Sequence, residues 1–194
     1  HEVALGITGI NPHTGPVRNP HDPARITGGS SSGSAAAVAA GMALGALGTD
    51  TGGSIRIPSA LCGVVGFKPT FGRVSARGLL PLSWNLDHVG PIAKTVEDAA
   101  ILYEVIAGYD PRDPNSVVAR DVANVAQNGI LRYAFAVGDY IEEAEPGVLA
   151  AMRQAVEVFR DLGAEMVEVE IPRLREAAQA NGTMVVAEIG RAHV

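Results

Sequence analysis

Lysine is scarce in this sequence: Lys68 and Lys94 are the only two, and Lys and Arg together number 15 against 21 Asp and Glu, a net charge of -6. Such a chain has no basic stripe to neutralise successive phosphates, so nucleic acid is not expected as a direct partner. Cysteine is scarcer still. The single Cys62 cannot build an internal disulfide framework and fits a reducing compartment, which makes the cytoplasm the expected location. Long apolar runs are missing: the longest weakly polar stretch, Ser34 to Leu47, is mostly Ala and Gly and falls short of the roughly 18 apolar residues that a membrane span needs. No membrane partner is expected. Internal repeats and blocks of like charge are also lacking. What is present is a 47% hydrophobic chain of 194 residues, able to bury a core and far from the disordered class. It opens on His rather than Met, so a targeting signal, if the protein has one, would lie upstream. At the other end Glu188-Ile-Gly-Arg-Ala-His-Val194 interrupts a helical pattern and matches the translation of a common sequencing adapter. The expected division is a partial domain over residues 1–188 and a non-native tail over 189–194.

Helical and strand-like segments alternate along the chain. Ser34 to Met42 is an Ala-rich helix former preceded by Ser and Gly, and Leu44 to Leu47 reads as a short buried strand ending at Gly48-Thr49-Asp50. Ile55-Arg-Ile-Pro58 leads into a brief apolar turn. Val64 to Phe67 and Val89 to Ala93 read as further strands. Thr95 is placed to cap a helix over Val96 to Ala107, with Glu97 and Asp98 in its first turn. Pro111 to Asn128 reads as a surface connection. Arg132 to Val137 alternates like a strand, Pro146 opens a helix with Leu149, Met152, Val156 and Phe159 on one stripe, and Glu165 to Ile171 alternates again. This order predicts an α/β fold with helices covering a largely buried sheet.

Two loops of serine and glycine stand out. Gly28 to Ser34 feeds straight into the Ala-rich helix, where N–H groups and a partial positive charge meet an anion or polar group; a plain linker would sit between composition shifts. It has neither the Gly-Lys-Ser/Thr of a phosphate loop nor the G-x-G-x-x-G of a dinucleotide site. The second loop, Asp50-Thr51-Gly52-Gly53-Ser54, has two open readings on its residues alone. Its glycines leave consecutive N–H groups unobstructed beside a hydroxyl, as an oxyanion hole around a nucleophile requires, or they permit a tight turn that Ser54 caps. A nucleophilic serine needs a base. His1, His13, His21 and His88 stand in no hydrolase context, and a buried neutral lysine can serve instead; Lys68 is the only one nearby.

The segments Gly28-Gly-Ser-Ser-Ser-Gly-Ser-Ala35, Gly48-Thr-Asp-Thr-Gly-Gly-Ser-Ile-Arg-Ile-Pro58, Cys62-Gly-Val-Val-Gly-Phe-Lys-Pro-Thr-Phe-Gly-Arg-Val-Ser75 and Asp87-His-Val-Gly-Pro91 occur in that order. In them the chain resembles the amidase signature family of serine hydrolases, closely from Asn11 to about Ala107 and more loosely to about Glu188. The resemblance implies that family's fold, incomplete here: an α/β architecture whose mixed β-sheet core is covered by helices on both faces. It implies a Ser-cisSer-Lys triad in which Ser54 is the nucleophile and Ser30, joined to Gly29 by a cis peptide, relays the proton. It implies an oxyanion hole from the N–H groups of Thr51, Gly52, Gly53 and Ser54, and a supporting role for Ser31 beside the lysine. That lysine lies several dozen residues before the bridging serine in the family, hence upstream of His1, so this stretch alone is expected to be inactive. Lys68, in Gly-Phe-Lys-Pro, is not the family's base and takes no catalytic role.

Asp50 and Arg56 flank the nucleophile and are expected to pair and fix its loop. Cys62 is expected to be a buried inert thiol, and Asp87 and His88 to pack their loop. The implied activity is hydrolysis of a small-molecule carboxylic amide to acid plus ammonia or amine, with no metal and no cofactor. A homo-oligomer and the subunits of an amidotransferase are the open expectations for assembly. The glutaminase subunit of the tRNA-dependent amidotransferase, which hands ammonia to a partner subunit, is the alternative, although Ile57 stands where that subunit usually has Gln. A noncatalytic binding protein on the same scaffold is the third.

Overall fold

The computed structural model describes residues 1–118 and 132–192, with side chains through residue 190. The chain forms two compact units, His1–Arg120 with Gly182–Val194, and Asp121–Asn181. In the first, a short hairpin of β1 (Ile10–Asn11) and β2 (Gly15–Pro16) precedes α1 (Ser32–Ala39), β3 (Gly45–Asp50), α2 (Arg56–Cys62), β4 (Val65–Gly66), β5 (His88–Ala93) and α3 (Val96–Ile106). β5 lies between β3 and β4 and is antiparallel to both, in a register that pairs Asp50 with His88 and Gly45 with Ala93. The described residues of Pro111–Asn128, up to Val118, carry no helix or strand; the rest of that connection lies outside the described residues.

The core of this unit is Ala35 and Val38 of α1, Ile55 and Cys62 at the two ends of the α2 segment, and Ile92 of β5, all fully buried. Small side chains make this possible: an Ala-rich helix approaches a strand closely, and Ala39, Ala43 and Ala46 pack around it. α3 begins where its cap requires, since the Thr95 side chain accepts a hydrogen bond from the Asp98 N–H at 3.1 Å while Glu97 and Asp98 face the positive end of the helix. α2 replaces the expected apolar turn. Pro58 is tolerated there because it stands in the first turn, whose N–H groups have no intrahelical partner. Gly63, at φ +65°, then ends the helix in the left-handed conformation.

The second unit contains β6 (Arg132–Val137), α4 (Asp139–Glu142), α5 (Pro146–Asp161), β7 (Glu165–Glu170) and the start of α6 (Leu174–Ala192), which runs on into the first unit. β6 and β7 pair in parallel with α5 between them in sequence, as the alternation predicts. Tyr133 meets Phe159 of α5 at 4.7 Å between ring centroids, so the helix covers the face that carries Tyr133, Phe135 and Met166. The opposite face, with Val167 and Val169, is exposed. A buried sheet is therefore realised in β5, where Val89 to Ala93 are all buried, while among the described residues the β6–β7 pair is covered on its α5 face. α6 continues through Glu188, whose carboxylate accepts a hydrogen bond from Asn85 Nδ2 at 2.7 Å.

Candidate active site

Both serine loops hang from the same core. The first precedes α1, and its peptide bond between Gly29 and Ser30 is cis, the geometry that the family resemblance implies. Ser31 braces this loop against β3: its Oγ donates to the Thr49 carbonyl at 3.2 Å and accepts from the Thr49 N–H at 3.1 Å. Gly48 is what lets it approach, since a Cβ there would stand 2.7 Å from Ser31 Oγ. Farther along α1, Ser34 Oγ donates to the Leu47 carbonyl at 2.8 Å.

The second loop leaves β3 at Asp50 and enters α2 after Ile55, so it is pinned at one end by a strand and at the other by a core side chain. Its organiser is Asp50, whose side chain is fully buried. One carboxylate oxygen accepts from the Gly53 N–H at 2.8 Å and Arg56 Nη2 at 2.9 Å. The other accepts from the Ile55 N–H at 3.1 Å, the Arg56 N–H at 3.3 Å and Arg56 Nε at 3.0 Å. Burial by itself would raise the pKa of this carboxyl, but the Arg56 hydrogen bond, the backbone N–H groups and the guanidinium charge outweigh it and hold it below the usual carboxylate value. The same hydrogen bond to Asp50, against a smaller desolvation effect, raises Arg56.

The two loops are joined by a main-chain hydrogen bond from the Ser31 N–H to the Ser54 carbonyl at 3.1 Å. Ser30 and Ser54 are both buried, 6% and 7% exposed. Among the described residues no protein group bonds either hydroxyl, yet neither is sealed off, because the one fully buried side-chain polar atom without a partner is His1 Nδ1. Of the four amides expected to form an oxyanion hole, that of Gly53 points at Asp50 and is occupied. Thr51, Gly52 and Ser54 N–H groups meet no acceptor among the described residues. Gly53 itself, at φ +129°, is packed so that a Cβ would fall 2.6 Å from Ile57 Cδ1; Ile57 also lies against Gly28, bridging the two loops with apolar contact.

The remaining sequence candidates lie off this constellation. His88 Nδ1 stands 2.6 Å from the Leu86 carbonyl and 3.1 Å from that of Asp50, and its ring packs edge-on against Phe71, so it braces the loop. Cys62 is fully buried and its thiol is pushed up by that burial. Two contacts had no local signal in the sequence: Thr51 Oγ1 donates to Asp87 at 2.5 Å, and Asn19 Nδ2 donates to the carbonyls of Ile26 at 3.1 Å and Leu61 at 2.8 Å, tying the segment before the first loop to the end of α2. Among the described residues no group of acidic, His or Cys side chains could hold a metal ion, and no helix is long and apolar enough to cross a membrane.

The amidase family model matches residues 1–194. This chain belongs to the amidase family. A glutamyl-tRNA(Gln) amidotransferase subunit from Chloroflexus aurantiacus is 50% identical over 180 residues, which are 91% of this amidase chain and 37% of the relative. The crystal structure of the same kind of subunit from Thermotoga maritima superposes with a TM-score of 0.88 at 43% identity, over 97% of this chain and 42% of that one. The native peptide amidase of Stenotrophomonas maltophilia gives a TM-score of 0.81 at 36% identity, over 94% of this chain and 39% of its own. The α/β fold is thus the amidase signature fold in part, and the chain spans less than half the length of these relatives.

Proposed function

We propose that the full-length protein is a serine amidase that hydrolyses a small-molecule carboxylic amide, with Ser54 as nucleophile and Ser30 as proton relay. The observation that carries this reading is the joining of the two loops through Ser31 and Ser54, with two unbonded serine hydroxyls beside unengaged N–H groups. Ser54 Oγ attacks the amide carbon, and its proton passes to Ser30 and on to a lysine that the family resemblance places before His1. The C–N bond then breaks, the proton returns to the departing nitrogen, and water hydrolyses the acyl-serine. The N–H groups of Thr51, Gly52 and Ser54 are the donors available to the oxyanion, and one well-aimed donor is worth about 3 kcal/mol in the barrier. A cytoplasmic location belongs to this reading and rests on the near absence of cysteine.

Within the same chemistry, the 50% identity to a chain named as an amidotransferase subunit favours glutamine as the amide, with ammonia handed to a partner subunit. Against that choice stands Ile57, where that subunit usually has Gln, which favours a simple amide released as acid plus ammonia or amine. Ammonia release by the full-length protein from glutamine, a simple aliphatic amide and an aryl amide tests the reading. Turnover of at least one, with a clear ranking, is expected; turnover of none would overturn it.

A further inference from the structure

Asp50 organises only the downstream half of the nucleophile loop, binding the N–H groups of Gly53, Ile55 and Arg56. Upstream, Gly52 has no neighbour within 4 Å of the place a Cβ would occupy, so packing does not fix the backbone there. Thr51 is held from another direction. β3 and β5 end their ladder at the pair Asp50 and His88, and Thr51 and Asp87 are the residues that follow on each side. Their side chains meet across the gap, Thr51 Oγ1 donating to Asp87 Oδ1 at 2.5 Å, a charge-assisted bond. Asp87 is itself immobilised: its carboxylate accepts from the Leu82 N–H at 2.8 Å and the Ser83 N–H at 3.1 Å, and its own N–H donates to the Ser83 carbonyl at 3.0 Å. A β-branched side chain whose hydroxyl is pinned has little freedom at χ1, and the backbone that carries it is steadied in turn.

We propose that Asp87 is a positioning residue for amide hydrolysis: through the Thr51 hydroxyl it aims the Thr51 N–H at the oxygen of the tetrahedral intermediate. This rests on the serine amidase reading above. Two carboxylates then hold residues 51–55 from opposite ends, Asp50 directly through backbone N–H groups and Asp87 through one hydroxyl. Asp87 lies on the wall of a cavity of about 240 Å³ and is half-buried; its loss frees the Leu82 and Ser83 N–H groups as well as the Thr51 hydroxyl, so Thr51→Val, which removes only the last of these bonds, is the cleaner probe.

The test uses the full-length enzyme and compares Asp87→Ala, Thr51→Val, the double variant, Thr51→Ser and Ser54→Ala. The readouts are kcat, KM and inhibition by an aldehyde analogue of the amide, which forms a tetrahedral adduct on the serine. Removing an oxyanion donor outright lowers kcat by about 100- to 1,000-fold, so misaiming one is expected to cost about 10- to 100-fold. Asp87→Ala and Thr51→Val should each lose that much in kcat and in aldehyde affinity with KM within about twofold, the double variant should be no worse than the poorer single one, and Thr51→Ser, which keeps the hydroxyl that Asp87 holds, should recover most of the loss seen in Thr51→Val. If Asp87→Ala fails to fold, the Thr51→Val and Thr51→Ser pair decides alone. Turnover lost in Ser54→Ala but within twofold of wild type in Thr51→Val would overturn this inference and leave the amidase reading standing. Undiminished turnover in Ser54→Ala would overturn both.

Discussion

Asn in place of Asp50 probes the loop that carries the nucleophile. The replacement has nearly the same shape, but one acceptor oxygen becomes an NH2 group. Whichever side it takes, that group faces either Gly53 N–H and Arg56 Nη2, or Ile55 N–H, Arg56 N–H and Arg56 Nε. A buried backbone donor left without an acceptor costs about 1–3 kcal/mol. Arg56, with 54% of its side chain exposed, can turn to water, so its own share is small. The expected loss is about 3 kcal/mol at neutral pH, and Arg56→Ala should cost less because Asp50 keeps its three backbone donors. The pH dependence has a definite sign. A carboxyl whose pKa in the fold lies below its ordinary 3.8 contributes stability above that value and loses it as pH falls through the folded pKa. Denaturant unfolding of the full-length protein at pH 7 and at a series of pH values below 4 should show the wild-type advantage over Asp50→Asn shrinking toward acid. An Asp50→Asn protein within about 0.5 kcal/mol of wild type at pH 7, or a gap that widens in acid, would refute this account of the loop.

Ser31→Ala should cost about 1–2 kcal/mol, because it strands the Thr49 N–H, and it should lower activity by loosening the first loop against β3; unfolding and turnover measured on one preparation check both. Cys62, fully buried with its thiol pushed up by burial, should resist alkylation by iodoacetamide at neutral pH in the folded protein and react once it is unfolded, as mass spectrometry of the intact chain would read.

How much of this was legible in the sequence varied with how local the signal is. The helix after Thr95 was, because cap and first-turn acids act within four residues, and β6, α5 and β7 were, because their periodicity is intrinsic. α2 was not: Pro58 reads as a breaker unless the helix is known to start at Arg56, two residues earlier. Antiparallel pairing of β3 with β5 joins segments about forty residues apart, and the alternation of elements says nothing of that partner choice. The site shows the same division. Ser30, Ser31, Asp50, Arg56 and the glycines around Ser54 are written in consecutive motifs, whereas the direction of the Gly53 N–H is decided by a buried carboxylate, and the Thr51–Asp87 contact exists only once the two strands pair.

The most direct test of the central claim is to label the full-length protein with a fluorophosphonate, which captures only an activated serine, and to locate the adduct by peptide mass spectrometry. A single adduct on Ser54, prevented by an amide substrate and lost in Ser30→Ala, is the expected result. Labelling of another serine with Ser54 untouched, or none in a protein that still releases ammonia from amides, would contradict it.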